Sequence, residues 1–169
     1  LGIPRYTHLI ETNSAVAASC QDNGEPCASL FPSPSALAAS FNRSLWQEKG
    51  AIFGKEIRAF GNENRARGPS YPYADITPQG YGPNINIIRD PRFGRNSEIP
   101  SEDPYLAGSY ASVLVNAMQY GGDDRYMQMT ASLKHFDEYS VETDRMKFNT
   151  NISMYDLWDT YLAQFEMAF

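Results

Sequence analysis

The sequence has only two histidines and two cysteines among its 169 residues, and it lacks long apolar runs. The histidines, His8 and His135, are far in sequence from Cys20 and Cys27, so a tetrahedral zinc site is not predicted. The apolar stretches are too short to cross a bilayer, and the first residues lack the basic and apolar regions of a signal peptide. These absences argue against a metalloprotein and against a membrane-spanning protein.

Positive charge is also scarce in this chain. The sequence has 14 lysines and arginines against 20 acidic residues, which gives a net charge of −6. That balance argues against nucleic acid or an anionic membrane as a partner. The sequence has no glycine-rich phosphate-binding motif and no G-x-S-x-G motif. We therefore expect neither a nucleotide cofactor nor acyl transfer, and no cofactor of another kind is predicted.

Cysteines and glycosylation sequons bear on where the protein is found. Cys20 and Cys27 flank the turn-forming segment QDNGEP, which suits both a small disulfide-closed loop in an exported protein and two unrelated thiols. Asn-x-Ser sequons at Asn42 and Asn151 permit glycosylation in a secretory setting. Together these features predict a secreted or secretory-pathway protein, and they leave the disulfide state open.

Apolar periodicity and turn signals divide the chain into alternating strands and helices. Asn42 is a good helix N-cap, Pro104 suits a first helical position, and Ser153 precedes Asp156 as in a capping box. The predicted elements in chain order are a strand at Tyr6–Ile10, a helical turn at Ala36–Phe41, a long helix from Asn42 closed by Gly61-Asn62, a loop over residues 61–82, a strand at Asn84–Ile88, a helix from Pro104 stopped by Gly121, a strand at Met127–Phe136 and a helix from Ser153.

This alternation predicts an α/β fold with parallel strands joined by helical crossovers. Three to four such units fit in the chain, whereas a closed barrel of eight units needs roughly 250 residues. The chain is therefore expected to form about half of a (β/α)8 barrel, or else a small open α/β sheet. Its opening at Leu1-Gly2-Ile3-Pro4 is typical of the interior of a longer protein, so residues 1–169 are predicted to be a single partial domain.

Charged residues follow two of the predicted strands, at the ends where α/β barrels build their sites. They are Arg89, Asp90, Arg92, Arg95 and Glu98 after the second strand, and Lys134 and His135 at the end of the third. Carboxylates, guanidinium groups and ammonium groups held on rigid backbone suit the directional hydroxyls of a sugar. We expect that Arg89, Asp90 and Arg92 pair with one another and hold the loop in place. An isolated Lys-His pair is more often solvated surface than a site.

Four longer segments carry a more specific signal. They are FPSPSALAASFNRSLWQEKGAIFGKEIRAF, PNINIIRDPRFGRNSEIPSEDPYLAGSYA, LKHFDEYSVE and DLWDTYLAQFEMAF. They resemble the F-P-x-P-x-x-L-A-A-S-F, R-D-P-R-W-G-R, K-H-F and L-x-x-x-Y-L-x-x-F-E segments of glycoside hydrolase family 3, in the same order. IPRYTHLIETNSAVA is a looser match to the first strand of that family. The β-xylosidase-like branch of this β-glucosidase and β-xylosidase group fits best.

The resemblance implies an N-terminal (β/α)8-type domain that binds the non-reducing sugar in its first subsite. By the same resemblance, Arg95, Lys134 and His135 would bind sugar hydroxyls. Glu11 falls where the carboxylate of the first strand would sit, although the segment Thr12–Ala15 replaces the usual Ala-Leu-His-Gly. The implied substrate is a β-linked xyloside or glucoside.

No catalytic residue is predicted within the chain itself. Retaining glycosidases need two carboxyl groups, one of them a nucleophile, and in this family the nucleophile lies in a Ser-Asp segment on a later barrel strand. The chain ends at Phe169 before such a segment, so it is not expected to complete the double displacement alone. Three interpretations stay open: a segment of a retaining β-xylosidase or β-glucosidase, a non-catalytic scaffold subunit buried in a larger assembly, and a sugar-binding module. In the first two, other protein would cover the open half of the barrel.

Overall fold

The computed structural model describes Tyr6, His8 and residues 10–16, 27–67, 77–121 and 123–169. Its elements are helices α1 (Pro34–Ala38) and α2 (Arg43–Arg67), strand β1 (Gln79–Gly80), a 3-10 turn (Asn96–Glu98), helix α3 (Pro104–Tyr120), strand β2 (Thr130–Ala131), helix α4 (Met154–Asp156), a π-helical stretch (Leu157–Leu162) and helix α5 (Ala163–Ala168). None of the helices in these described ranges is long and apolar enough to cross a membrane.

Three parallel extended segments form the sheet part of the fold. Strand β1 pairs with β2 in parallel, with Gln79 opposite Thr130. Two isolated parallel bridges extend this arrangement, one between Glu11 and Tyr81 and one between Asn84 and Lys134. The segment around residues 79–84 therefore lies between the first and third segments. The prediction of an α/β fold with parallel strands joined by helices is confirmed.

Two of the predicted strands, at Asn84–Ile88 and at Met127–Phe136, were too long. Only part of the strand predicted at Tyr6–Ile10 lies within the described residues, and the stretch predicted at Met127–Phe136 is reduced to β2 and the bridge at Lys134. Residues 84–88 are extended and largely buried, but beyond Asn84 they make no ladder. The Ile85 N–H still donates to the Lys134 carbonyl at 2.8 Å. The pairing ends after it because the Asn86 N–H donates to the Asn84 side chain at 3.1 Å and the Ile88 N–H to the Ser101 carbonyl at 3.2 Å.

The helix starts agree with the sequence prediction more closely than the ends do. The Asn42 Oδ1 accepts from the Leu45 N–H at 3.1 Å, Asp103 caps α3 ahead of Pro104, and Ser153 caps α4. The predicted stop at Gly61-Asn62, and with it the start of the loop over 61–82, was wrong, since α2 continues to Arg67. A helix interior tolerates glycine at a cost of about 1 kcal/mol.

The first short helix also differs from its prediction. The expected turn at Ala36–Phe41 begins earlier, as α1 at Pro34–Ala38, because the Ser33 hydroxyl accepts from the Ala36 N–H. Phe41 has φ of 51°, in the left-handed region, which ends this turn before α2 starts.

The main core lies where α2 packs against α3. Trp46 and Tyr110 meet edge to face with ring centroids 5.4 Å apart, and the Trp46 indole N–H donates to the Leu37 carbonyl at 2.7 Å. The shared cluster contains Ile10, Val16, Leu37, Ala38, Trp46, Phe53, Ile57, Phe60, Tyr110, Leu114, Met118 and Met129. Because Ile10 and Met129 come from the first and third extended segments, this core fixes the helices against the parallel segments whose ends carry the charged residues.

Candidate functional site

The ends of the three parallel segments bring together side chains that are far apart in sequence. The first segment provides Glu11 and Asn13, the loop after the second provides Arg95, and the third ends at Lys134 and His135. Parallel strands deliver their carboxyl ends to the same edge of a sheet, which is where α/β proteins place their sites. The four residues predicted from the sequence, Glu11, Arg95, Lys134 and His135, therefore share one region of the molecule.

Lys134 and Glu11 form the first ion pair of this region. The ammonium lies 2.7 and 2.6 Å from the two Glu11 carboxylate oxygens. The Lys134 side chain is 3% exposed, whereas that of Glu11 is 51% exposed. The ammonium also lies 5.1 Å from the centre of the Tyr81 ring, within the range of a cation–π contact. The buried Lys134 ammonium thus binds the Glu11 carboxylate, and the Glu11 side chain stays half-exposed to solvent.

Arg95 and Glu98 form the second pair, in a two-pronged geometry. The Arg95 Nε donates to Glu98 Oε1 at 2.6 Å and a terminal nitrogen donates to Oε2 at 2.7 Å. Burial alone would raise the pKa of Glu98, but the hydrogen bonds and charge of Arg95 outweigh it and the pKa is lowered. Both groups are therefore charged at neutral pH, and a bidentate pair holds the guanidinium plane in one orientation.

Asn13 joins the two ion pairs. Its side-chain amide donates to Glu11 Oε1 at 2.8 Å and to Glu98 Oε2 at 3.1 Å. Its side-chain oxygen Oδ1 accepts from the Asn84 backbone N–H at 2.9 Å. One buried amide therefore holds both carboxylates and ties the first extended segment to the second. Sequence reasoning missed this residue, because a single asparagine after a strand is no signal by itself.

His135 lies against the cluster as a neutral imidazole. Burial lowers its pKa to about 4, and the positive charges of Arg95 and Lys134 act in the same direction. Its backbone is held by Asn86, whose Oδ1 accepts from the His135 N–H at 2.7 Å and whose amide donates to the His135 carbonyl at 2.8 Å. A neutral ring offers one donor and one acceptor nitrogen, which is suited to a hydroxyl.

Tyr139 is a second residue that sequence reasoning missed. Its hydroxyl oxygen accepts from Arg95 at 3.2 Å and from Arg145 at 3.1 Å. Its ring packs edge to face on Phe93 and on His135, with centroids 4.9 Å apart in both cases. Tyr139 therefore supports the guanidinium and the imidazole from one side, and its position five residues after Lys134 could have drawn attention to it.

A family model described as the Glycosyl hydrolase family 3 N terminal domain matches residues 20–169. The chain belongs to this family. Among its relatives, Beta-xylosidase/alpha-L-arabinofuranosidase 2 of Medicago sativa subsp. varia is 38% identical over an alignment 176 residues long, which covers 98% of this chain and 21% of the relative. The chain thus spans about a fifth of the length of that relative.

Solved structures of family 3 enzymes have the same fold. An exo-beta-xylosidase, XlnD, in complex with a xylobiose aziridine probe has a TM-score of 0.76 at 25% identity, covering 99% of this chain and 21% of that one. Beta-glucosidase 3B of Thermotoga neapolitana in complex with glucose has a TM-score of 0.68 at 31% identity, covering 95% of this chain and 20% of that one.

Three charged residues of this family 3 chain take no part in the cluster. Asp90 and Arg92 pair with each other at 2.7 Å, as the sequence favoured, and Arg92 with its hydrogen bonds lowers the pKa of Asp90 to about 2. Arg89 does not join that pair. Its guanidinium lies 5.7 Å from the centre of the Tyr161 ring, so the expectation of a three-residue pairing holds for two of the residues only.

The remaining sequence predictions concern modification sites. Cys27 is disulfide-bonded, and Cys20 lies outside the described residues, so the pairing of the two stays a prediction. Asn42 and Asn151 are exposed. The Asn42 side-chain oxygen caps α2, whereas a glycan is attached to the nitrogen of an asparagine. Glycosylation at both positions stays a prediction.

The neutral His135 predicts a pH dependence of stability. The pKa of His135 is about 4 in the folded protein and about 6.5 in the unfolded chain. At pH values between these two, the imidazole is protonated in the unfolded chain and neutral in the folded protein. The neutral imidazole therefore makes its full contribution to the free energy of unfolding above about pH 6.5, and this contribution is lost as pH falls toward 4. We expect the unfolding midpoint of the natural protein to decline less steeply across this range in His135→Gln than in the wild type.

Thermal unfolding at several pH values between 4 and 7.5 checks this expectation. His8→Gln is the matched control, because it makes the same change at an exposed histidine outside the cluster, and it should keep the wild-type slope. Equal slopes for wild type and His135→Gln would contradict the assignment of a neutral, half-buried imidazole.

Proposed function

We propose that this chain provides the sugar-binding residues of the first subsite in a retaining β-glycosidase that acts on terminal β-linked xylose or glucose. The observation that carries the proposal is the convergence of Glu11, Arg95, Lys134 and His135 at one edge of the parallel segments, with Lys134 held at 2.6 Å from Glu11. The family and the names of its relatives support this class of substrate.

The charge balance of the cluster favours a neutral ligand. Two cations, Lys134 and Arg95, face two carboxylates, Glu11 and Glu98, and His135 is neutral. At the edge of the cluster Glu142 lies 3.8 Å from Arg95 and 3.7 Å from Arg145, so that cations and carboxylates stay equal in number. A phosphate or an acidic sugar would need an excess of positive charge, which this arrangement lacks. Hydroxyl groups both donate and accept, so a pyranose can use carboxylate oxygens and cationic donors together.

Within this proposal, Glu11 and Glu98 bind and do not react. Each is engaged by a cation and by the Asn13 amide, and these partners stabilise the carboxylate and weaken it as a nucleophile. Retaining hydrolysis needs a nucleophilic carboxylate and an acid/base residue about 5–5.5 Å apart. We place both in other parts of the natural protein, since the chain spans about a fifth of its relative's length.

We further propose that residues 1–169 are the N-terminal portion of a (β/α)8 barrel, about half of it. Exposed large apolar side chains support this architecture, because a complete domain normally buries such surface. The most exposed between residues 136 and 168 are Phe136 at 73%, Met146 at 88%, Met154 at 66% and Tyr155 at 76%. The rest of the barrel would cover part of this surface. A disulfide-bonded Cys27 supports a secreted location, since disulfides persist in oxidising compartments.

The proposal is tested with the natural protein and aryl β-xylosides and β-glucosides. We expect turnover of at least one of them, with the released sugar appearing first as the β-anomer in proton NMR, as retention requires. Failure to hydrolyse either substrate would contradict the enzymatic function. A folded natural protein that binds xylose without turnover would instead favour a sugar-binding module. The absence of both turnover and binding would favour a scaffold role.

A further inference from the structure

Lys49 is a buried lysine outside the cluster of charged residues. It lies on α2 with no exposed surface, and burial lowers its pKa to about 8. Its ammonium donates to the Asn13 backbone carbonyl at 2.6 Å and to the Tyr110 hydroxyl at 3.2 Å. The centres of the Phe31, Phe53 and Tyr110 rings lie 6.0, 5.2 and 6.0 Å from the ammonium.

A cation at this position has a cost that an apolar residue would avoid. Removing an ammonium from water is unfavourable unless hydrogen bonds and charges compensate for it, and the lowered pKa of Lys49 is the sign of that cost. Aromatic rings offset part of it through cation–π contacts. A methionine of similar length would fill the same space without the cost, but it could not donate to the Asn13 carbonyl.

The Asn13 carbonyl is the backbone of the residue that joins the two ion pairs. The side chain of Asn13 reaches Glu11 and Glu98 at 2.8 and 3.1 Å. Hydrogen-bond strength depends steeply on distance and angle, so a shift of the Asn13 backbone would alter both contacts together. Lys49 is therefore linked to the open carboxylate of Glu11 through a single intervening residue.

We propose that Lys49 is a positioning residue of the sugar site: its ammonium holds the Asn13 carbonyl and so places the amide that bridges Glu11 and Glu98. This inference rests on the function proposed above, because the carboxylates matter here as sugar ligands. Lys49 does not touch the sugar. It acts from the core between α2 and α3, on the far side of Asn13.

The test compares sugar binding in Lys49→Met with the wild-type natural protein, using xylose and glucose as probes in calorimetry. Loss of one charge-assisted hydrogen bond in the positioning network is expected to weaken binding about tenfold. The unfolding midpoint should change little, since relief of the buried charge offsets the hydrogen bonds that the Asn13 carbonyl and the Tyr110 hydroxyl lose. Lys55→Met is the control, because Lys55 is an exposed lysine of the same helix, and it should bind as the wild type does.

A double-mutant cycle separates positioning from general support of the fold. In an Asn13→Ala background there is no side-chain amide to place, so adding Lys49→Met should cause no further loss of sugar affinity. An additive second loss would overturn the proposal, and so would wild-type affinity in a folded Lys49→Met protein. Lys49→Leu, which also lacks a donor, replaces the methionine variant if that variant does not fold.

A spectroscopic measurement tests Lys49 independently of sugar binding. The side-chain amide resonance of Asn13 is expected to shift in the proton–nitrogen NMR spectrum of Lys49→Met and to stay in place in Lys55→Met. If the natural protein bound neither xylose nor glucose, the proposed function would fail while this shift would still support the positioning role. An unchanged Asn13 resonance would overturn the role of Lys49 whatever the protein binds.

Discussion

Replacing Lys134 with methionine is expected to lower kcat/KM for aryl β-xylosides or β-glucosides by about 100-fold in the natural protein. In the proposed subsite the Lys134 ammonium donates to a sugar hydroxyl, and it also binds Glu11, at 2.7 and 2.6 Å from its two carboxylate oxygens. Methionine fills a similar volume but removes the donor and leaves the Glu11 carboxylate held, among the described residues, by the Asn13 amide alone. The proposed subsite would lose one ligand directly and the orientation of a second.

Lys147→Met is the matched control for this change. Lys147 lies on the same part of the chain, pairs with Asp144 at 2.8 Å and is 78% exposed, so its loss should leave kcat/KM unchanged. Because Glu11 is half-exposed, water can solvate its carboxylate when Lys134 is lost, and the folded state should survive. A folded Lys134→Met protein with wild-type kcat/KM would contradict the proposal that Lys134 binds the sugar in the first subsite.

The gathering of the site residues could be predicted from the sequence in outline. Glu11, Arg95 and Lys134 follow three strands that alternate with helices, and parallel strands place such residues at a common edge. Which of these side chains pair with each other could not be predicted. Each has several partners within reach, and differences of a few ångströms decide which contacts form. The sequence grouped Arg95 with its neighbours in the loop, for example, but not with Tyr139, which is 44 residues away.

The segment Asn84–Ile88 carried a signal that sequence reasoning did not use. Its first four residues alternate between amide and apolar side chains, and alternate residues of an extended segment point to opposite faces. Ile85 packs in a cluster with Ala111 of α3. The side-chain oxygen of Asn86 accepts from the His135 N–H, and the side-chain amide of Asn84 helps to lower the pKa of Glu98. The buried amides could therefore have been assigned to the face of the site. The early end of the hydrogen-bond ladder in this segment could not have been predicted, because it depends on which other groups bind the backbone.

Replacing Gly50 with alanine is expected to lower the free energy of unfolding by about 3 kcal/mol, the upper part of the range for adding a methyl group to a packed core. A Cβ at Gly50 would lie 2.5 Å from the Leu114 carbonyl oxygen and 2.8 Å from the Ala117 Cβ. Backbone atoms of α3 cannot move aside as a flexible side chain can, so α2 and α3 would have to separate. The gain in helix propensity from glycine to alanine, up to about 1 kcal/mol, is too small to offset this.

Chemical denaturation of the natural protein measures this effect, with Glu48→Ala as the control at an exposed position of the same helix. The control should change the free energy of unfolding by less than about 0.5 kcal/mol. Since α2 carries Lys49 next to Gly50, a folded Gly50→Ala protein should also bind sugar less tightly, because displacing α2 moves the ammonium away from the Asn13 carbonyl. A Gly50→Ala protein as stable as the wild type would show that the two helices are not packed as closely as 2.5 Å implies. The proposed link from the packing of α2 on α3, through Lys49 and Asn13, to the proposed sugar site would then be contradicted.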